Sequence, residues 1–207
     1  MKLKQFEKSE MTREKILVAA VEEFAEKGFY GARVDAIADA SGINKRMIYA
    51  HFESKEKLYT KVLLIAYEWV AESERAFMLD GQDPVEAIRF IVRKSFEFLL
   101  DNPKFIRLLM WENLNRAMSI PKDELLKLKA PTFEYMKKQI RLGKSTGVFR
   151  QDIDEHEIVL SLMSFGFAHF SNAHTMSALL ERDLLSPDEV LARAEFISNM
   201  IVKYLEA

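Results

Sequence analysis

Residues 36–58 constrain the fold of this chain more than any other stretch, because they encode two short helices that meet across a tight turn. The first helix has an apolar face and is interrupted at Ser41-Gly42-Ile43. Gly42 suits the turn, since glycine adopts positive φ at little steric cost. The buried stripe of the second helix is predicted to be Met47, Ile48 and Phe52. This layout predicts a helix-turn-helix, whose second helix enters the major groove of DNA.

The composition predicts an all-α fold. Among 207 residues there are only seven glycines and five prolines, which favours long helices over hairpins and sandwiches. Apolar residues make up 49% and charged residues 30%, an ordinary globular balance. Start and stop signals along the chain mark about nine helices and no convincing strand.

The predicted helices divide the chain into a flexible arm (1–10), a three-helix head with the helix-turn-helix (11–57) and a larger helical body (58–207). A strong amphipathic helix begins at Met11 and is stopped by Gly28. Ser54 is predicted to cap a connecting helix that starts at Lys55 and continues to about Met78.

Helix boundaries in the body are predicted from prolines and capping residues. Asp83 caps a helix that ends before Pro103, and the next helix runs from Pro103 to Met118. The remaining predicted boundaries are a break at Pro131, a helix from Asp154 to about Leu180 and a last helix from Ser186 to Leu205.

The sequence predicts a cytoplasmic protein with no membrane partner. It contains no cysteine, which excludes disulfides and thiol chemistry and fits a reducing compartment. The first fifteen residues are polar and lack the apolar core of a signal peptide. No apolar run approaches the ~18 residues that span a bilayer.

The charge distribution is compatible with DNA binding but does not predict it alone. The net charge is −2. The second helix of the motif nevertheless carries Lys45, Arg46 and His51, and residues 40–52 contain no acid. A small positive face suffices for a helix-turn-helix, because phosphate contact is local.

The head resembles the TetR-type transcriptional regulators. The residues that carry the resemblance are Ile16-Leu17, Ala19-Ala20, Phe24, Lys27-Gly28, Val34, Ile37-Ala38, Gly42-Ile43, Tyr49, Phe52, Lys55 and Leu58. The body is similar to that family only in the number, length and placement of its helices. The resemblance implies a head that binds an operator as a dimer and a body that holds a small-molecule inducer. It also implies that the last two long helices pair with those of a partner.

By position, the resemblance places six residues against operator DNA: Asn44, Lys45, Arg46, Tyr49, His51 and Lys55. Arg46 and Lys45 are the candidates for base contact, because a guanidinium pairs in a bidentate way with guanine. The alternative is two solvated charges on a surface helix. Asn44 suits a helix cap, a contact with adenine or a contact with a phosphate, and capping does not exclude base contact. Tyr49 suits a phosphate hydrogen bond or a packed position. Lys55 stands where the helix dipole disfavours a cation, which a nearby phosphate would explain.

Residues 32 and 33 depart from the family pattern, which usually has threonine and a small polar residue there. Ala32 and Arg33 replace them, so the usual cap of the following helix and its phosphate contact are missing. Arg33 is predicted to replace the phosphate contact by its charge. It cannot replace the cap, and the sequence therefore predicts a frayed helix start that costs roughly 1 kcal/mol.

The body contains candidate residues for a small-molecule pocket. Apolar walls with a few polar groups are typical of such sites. The candidates are Met110, Trp111, Asn113, Phe133, Met136, Phe165 and His169. The alternative for each aromatic or methionine is an ordinary core position, and for His169 a neutral, hydrogen-bonded core histidine.

The last two long helices contain candidate residues for a dimer interface. Small residues recur in the first of them, and the second is apolar around much of its circumference, which indicates a contact beyond one intramolecular partner. A two-fold homodimer would supply it. The candidates are Leu160, Ser164, Phe167, Ser171, Ala194, Ile197 and Ile201.

The sequence predicts neither an enzyme nor a metal or cofactor site. Its four histidines show no i, i+4 helix spacing, and it lacks a nucleophile elbow, a phosphate-cradling glycine loop and a dinucleotide fingerprint. The best interpretation is a homodimeric, ligand-responsive repressor that binds double-stranded operator DNA. The alternatives are a ligand- or partner-binding protein that has lost specific DNA recognition and a DNA-compacting protein without an inducer.

Overall fold

The computed structural model describes residues 2–75, 78 and 81–206, with side chains from residue 9 onward. These residues form ten helices, and the only strand-like pairing among them is one bridge between Phe149 and Glu206. The helices are α1 (Lys2–Gly31), α2 (Val34–Ser41), α3 (Lys45–Phe52), α4 (Lys55–Arg75), α5 (Pro84–Asp101), α6 (Pro103–Leu114), α7 (Lys122–Ser145), α8 (Glu155–Ser171), α9 (Ala173–Leu180) and α10 (Pro187–Leu205). The predicted all-α class is confirmed.

The chain divides into two compact units whose boundaries differ from the prediction. The first unit comprises residues 1–67 and 107–125, and the second comprises 68–106 and 126–207. The end of α6 therefore belongs with the head rather than with the body. The predicted flexible arm also differs, because α1 begins at Lys2 instead of Met11. Residues 76 and 77, which the predicted connecting helix includes, lie outside the described residues.

The core of the first unit is built from the apolar faces of α1 to α4. Its largest fully buried side chains are Ile16, Phe24, Ile37, Ile48, Leu58, Tyr59 and Leu63. Helix α3 contributes only Ile48 and Phe52, whereas Met47 is 41% exposed. The predicted buried position of Met47 is therefore wrong, because Met47 and Ile48 are adjacent and an eight-residue helix has one buried face.

Gly28 ends the first regular stretch of α1, as predicted, and allows a close contact. Its φ of +66° interrupts the helix, which resumes as far as Gly31. The indole of Trp111 lies against it, and a Cβ at Gly28 would be only 2.5 Å from Cδ2 of that ring. Glycine is thus required at this position both by the backbone and by the packing.

Gly28→Ala is expected to lower the free energy of unfolding by about 2–4 kcal/mol, because backbone strain and steric overlap with Trp111 add. Gly42→Ala is the matched control. Gly42 has a φ of +68° but nothing within 4 Å of its Cβ position, so its variant should lose only about 1–2 kcal/mol. Urea denaturation measures both values. Equal losses would contradict the close contact between Gly28 and Trp111.

The second unit is organised around α5, against which α8 and α10 pack. Its buried apolar residues include Ile88, Ile91, Val92, Phe96, Ile140, Leu162, Ile197 and Ile201. Asp83 caps α5 as predicted, accepting hydrogen bonds from the backbone amides of Val85 and Glu86 at 2.9 and 3.2 Å. Asp154 caps α8 in the same way through the amide of His156 at 2.8 Å.

Besides the start of α1, three predicted helix boundaries are wrong. Pro131 lies inside α7 and does not break it. Proline removes one backbone donor, and here the flanking turns continue the helix. The predicted helix from Asp154 to Leu180 is divided at Asn172 into α8 and α9. Helix α6 ends at Leu114, before two residues with positive φ, Arg116 and Ala117.

Candidate nucleic-acid interface and sites in the body

The turn of the predicted helix-turn-helix is formed by local hydrogen bonds. Gly42 adopts the left-handed conformation, and the amide of Ile43 donates to the carbonyl of Ala38 at 3.2 Å. Asn44 is the N-cap of α3, and its Oδ1 accepts a hydrogen bond from the amide of Met47 at 2.9 Å. The capping alternative for Asn44 is therefore present in the structure.

The outer face of α3 presents the side chains predicted to contact DNA. Lys45, Arg46 and Tyr49 are all exposed, whereas Ile48 is buried. Nζ of Lys45 lies 3.0 Å from a carboxylate oxygen of Asp35, and the hydrogen bond to that carboxylate raises the lysine pKa. Such an exposed ion pair is weak, so Lys45 keeps its charge and can exchange Asp35 for a phosphate or a base.

His51 and Lys55 lie beside this face in different environments. The ring of His51 is half-buried next to Phe52, with 6.3 Å between the ring centroids. Nζ of Lys55 lies 4.8 Å from the ring centroid of Phe29. This cation–π contact gives Lys55 a partner within the protein, so its position in the first turn of α4 does not require a phosphate.

The start of α2 is stabilised by a contact that the sequence pattern did not reveal. Arg33 occupies the N-cap position and its side chain makes no capping hydrogen bond, as predicted. Its backbone amide instead donates to Oε1 of Glu23 at 2.9 Å. The amide of Ile37 donates to the carbonyl of Arg33 at 3.2 Å. The first turn is therefore formed, and the predicted fraying is not observed.

Arg33→Ser is expected to raise the free energy of unfolding by about 0.5–1 kcal/mol, because serine supplies the missing cap. The same variant should bind DNA more weakly if the Arg33 charge contacts a phosphate, with a smaller dependence of affinity on salt. Arg33→Ala is the control, since it removes the charge without adding a cap. Thermal unfolding and DNA titration at several salt concentrations measure the two effects. Unchanged DNA affinity in both variants would contradict the predicted phosphate contact.

The seven predicted pocket residues are divided between the two units. Met110, Trp111 and Asn113 belong to the first unit, where Trp111 packs on Gly28 and the Asn113 side chain donates to the carbonyl of Leu109 at 2.8 Å. In the second unit, Met136 is buried on α7 and Phe133 is half-buried beside it.

Phe165 and His169 do line a cavity, which lies between α8, α9 and α10 and has a volume of about 600 Å³. Nε2 of His169 lies 3.0 Å from the carbonyl oxygen of Leu184, and its ring contacts Phe96 and Phe170. Burial lowers the pKa of His169, which favours the neutral imidazole. This environment is compatible with both interpretations of His169, a neutral core histidine and a residue that lines a ligand pocket.

The candidate dimer residues fall into two groups. Leu160 and Ser164 are exposed on α8, and Phe167 and Ser171 are partly exposed there. Three residues of α10 instead face the interior of the same chain: Ala194, Ile197 and Ile201. For these three the prediction is wrong, because they pack on the side of α10 that faces its own core. The exposed apolar residues of α10 are Leu191, Phe196, Met200 and Tyr204.

A buried polar cluster in the second unit was missed by the sequence analysis. Glu74 of α4 pairs with Lys129 of α7, and the hydroxyl of Thr132 donates to the same carboxylate at 2.6 Å. All three side chains are buried. A glutamate and a lysine in amphipathic helices are typical of solvent-exposed faces, so the sequence carried no signal for this pair.

A second buried carboxylate lies in the first unit. Glu112 accepts a hydrogen bond from the amide of Ser119 at 2.6 Å. Burial raises the pKa of Tyr59 and Tyr67, to about 12 for Tyr67, and the nearby Glu112 carboxylate adds to both shifts. The two phenols therefore remain protonated at neutral pH.

The head has the architecture of a helix-turn-helix DNA-binding protein. Residues 16–62 match the sequence model of the tetR family of bacterial regulatory proteins, and residues 84–201 match that of a tetracyclin repressor-like C-terminal domain. The matches together cover the head and most of the body. The chain belongs to the tetR family and is a DNA-binding transcriptional regulator.

Individual relatives agree with this assignment. The transcriptional repressor NicS of Pseudomonas putida is 32% identical, with 96% of this chain and 94% of NicS covered. The transcriptional regulator RutR of Escherichia coli K12 is 37% identical over 49% of this chain and 48% of RutR. The solved structure of SCO4942 from Streptomyces coelicolor, described as a transcriptional regulator, is 25% identical. It superposes with a TM-score of 0.71 and covers 94% of this chain and 98% of that one.

Proposed function

We propose that this protein is a homodimeric repressor that a small molecule releases from its operator. The observation that carries the proposal is the outer face of α3, where Lys45, Arg46 and Tyr49 are exposed whereas Ile48 is buried. Side chains on that face of the second helix are the ones that reach base edges and phosphates when the helix lies in a major groove. Arg46 is assigned to guanine, and Tyr49 to a phosphate.

The exposed apolar surface of α8 and α10 supports dimerisation. Leu160 is 59% exposed on α8, and Phe196 is 58% exposed on α10. The two helices pack against α5 and border the same cavity. Exposed apolar residues of this size are typical of an interaction site when they cluster, and a two-fold pairing would bury the same residues on both protomers. Two heads would then occupy successive major grooves, about 34–36 Å apart.

Repression rather than activation is supported by the similarity to NicS, which is named a repressor and aligns over nearly the whole chain. Release by a small molecule is supported by the match of the body to the tetracyclin repressor-like C-terminal domain.

The proposed function involves no enzymatic activity, because repression of transcription requires no catalytic step. None of the described helices is long and apolar enough to cross a membrane, and we place the protein in the cytoplasm with its DNA.

Selection from random duplex DNA at near-physiological salt tests this function. The expected result is one near-palindromic site whose half-sites are separated by one helical turn. Footprinting and a gel-shift stoichiometry of two chains per site would then establish dimeric binding. Sequence-blind binding would contradict the proposed repressor and would favour a DNA-compacting protein, whereas absence of binding would favour a ligand- or partner-binding protein.

A further inference from the structure

A buried carboxylate lies near the end of the helix that follows the helix-turn-helix. Glu74 is the second-to-last residue of α4, and its side chain is buried. The negative end of the helix dipole disfavours a carboxylate at this position. Removal of the charge from water adds to the cost. The placement of Glu74 is therefore explained by its partners on another helix and not by α4 itself.

Two donors of α7 converge on this carboxylate. Nζ of Lys129 donates to both carboxylate oxygens of Glu74, and Oγ1 of Thr132 donates to Oε2 at 2.6 Å. Lys129 and Thr132 are three residues apart, so they lie on the same face of α7. An ammonium and a hydroxyl thus form a buried carboxylate-binding site, which Glu74 occupies.

This site requires an anion. Burial lowers the pKa of Lys129, and the charge of Glu74 and its hydrogen bond with the lysine oppose that shift. A buried ammonium without a carboxylate partner is strongly unfavourable, whichever molecule supplies the carboxylate. The ring of Phe133, whose centroid is 5.9 Å from Nζ of Lys129, adds an apolar wall beside the charge.

We propose that the effector is an organic carboxylate that binds Lys129 and Thr132 in place of Glu74, and that the displacement of Glu74 lowers operator affinity. Helix α4 is continuous from Lys55, close after the helix-turn-helix, to Arg75. One helix therefore connects Glu74 with the head. The inference rests on the proposed function, since it names the ligand class and the switch of that regulator. The effector can shift the equilibrium only by its preference for the displaced state.

Chemical rescue tests the carboxylate site without DNA. Glu74→Ala empties the site, and sodium propionate is expected to raise the Tm of this variant saturably by about 2–4 °C. Propionamide is a neutral molecule of similar shape and should not raise the Tm. Sodium chloride at equal ionic strength should not raise it either. The response should disappear in Glu74→Ala/Lys129→Met. Glu155→Ala is the matched control, because it removes a carboxylate paired with Arg141 at the surface at 2.9 Å. Equal responses to propionate and propionamide would overturn the proposal.

Operator titration tests the switch. Glu74→Gln keeps the side-chain volume but not the charge, and its operator affinity is expected to fall about 5- to 150-fold while circular dichroism shows it folded. Propionate should not restore that affinity, because it does not reconnect α4 with α7. If folded Glu74→Gln keeps the wild-type operator affinity, the Glu74–Lys129 ion pair is purely structural and the proposed switch is overturned. If the alanine variant does not fold, Glu74→Ser replaces it in the thermal experiment, because serine also leaves the carboxylate position empty.

The two experiments separate this inference from the proposed function. If the wild-type protein selects no operator, the proposed repressor fails, and the thermal experiment decides the carboxylate site by itself. If an operator is selected but propionate has no specific effect on Glu74→Ala, the repressor stands and the carboxylate effector is wrong.

Discussion

The triple variant Lys45→Ala/Arg46→Ala/Tyr49→Ala is expected to bind the selected operator about 100- to 1,000-fold more weakly than the wild type. A bidentate base contact contributes about 1–3 kcal/mol of discrimination, and the lost phosphate contacts reduce affinity for all sequences. The three side chains are exposed and outside the core, so their removal should leave the thermal stability nearly unchanged.

The single variants divide that loss into its parts. Arg46→Ala should relax the sequence preference at one position of each half-site, whereas Tyr49→Ala should weaken binding uniformly. Lys127→Ala/Lys203→Ala is the matched control, because it removes two exposed positive charges of the second unit. Fluorescence anisotropy with the operator and with a scrambled duplex measures each effect. If the triple variant keeps wild-type affinity and preference, α3 does not read the operator.

The double variant Leu160→Glu/Phe196→Glu is expected to weaken dimerisation by at least about 1,000-fold. Large apolar side chains at the centre of an interface each contribute about 2 kcal/mol or more, and a two-fold interface contains every residue twice. Burying four carboxylates without partners adds a further penalty. Both side chains are more than half exposed in the monomer, so each protomer should remain folded.

Sedimentation equilibrium at micromolar concentration measures this effect, and operator affinity should fall with it because the two half-sites are no longer bound together. Leu114→Glu/Leu126→Glu is the matched control. These leucines are exposed on α6 and α7, and their variants should remain dimeric. A double Leu160/Phe196 variant that stays dimeric would locate the interface elsewhere.

The sequence determined the features that depend on neighbours within one or two turns. The turn at Gly42, the cap at Asn44 and the helix stop at Gly28 all follow from side-chain and backbone chemistry over a few residues. The fixed spacing of apolar residues in the head depends on the same local geometry. For that reason the helix-turn-helix and the family resemblance could be predicted before the structure was known.

The sequence predicted different amounts of detail for the DNA-binding face of the head and for the pocket and dimer interface of the body. The exposure of the candidate DNA-contacting side chains could be predicted, because α3 buries only Ile48 and Phe52 and leaves Arg46 and Tyr49 exposed. Their contact with DNA stays a prediction. The pocket and dimer residues could be assigned only to helices. Helix α10 is apolar on two sides, and periodicity does not distinguish the side that packs on α5 from the side left exposed.

Tertiary structure alone decided which polar groups are buried. Glu74 and Lys129 are 55 positions apart, and nothing in either amphipathic helix indicates that the two charges neutralise each other in the core. Likewise, Glu23 accepts a hydrogen bond from the amide of Arg33, ten positions away, a contact that local sequence does not indicate. Local sequence fixes the helices and their ends, whereas the burial of a charge depends on a partner that only the packed fold brings within hydrogen-bond distance.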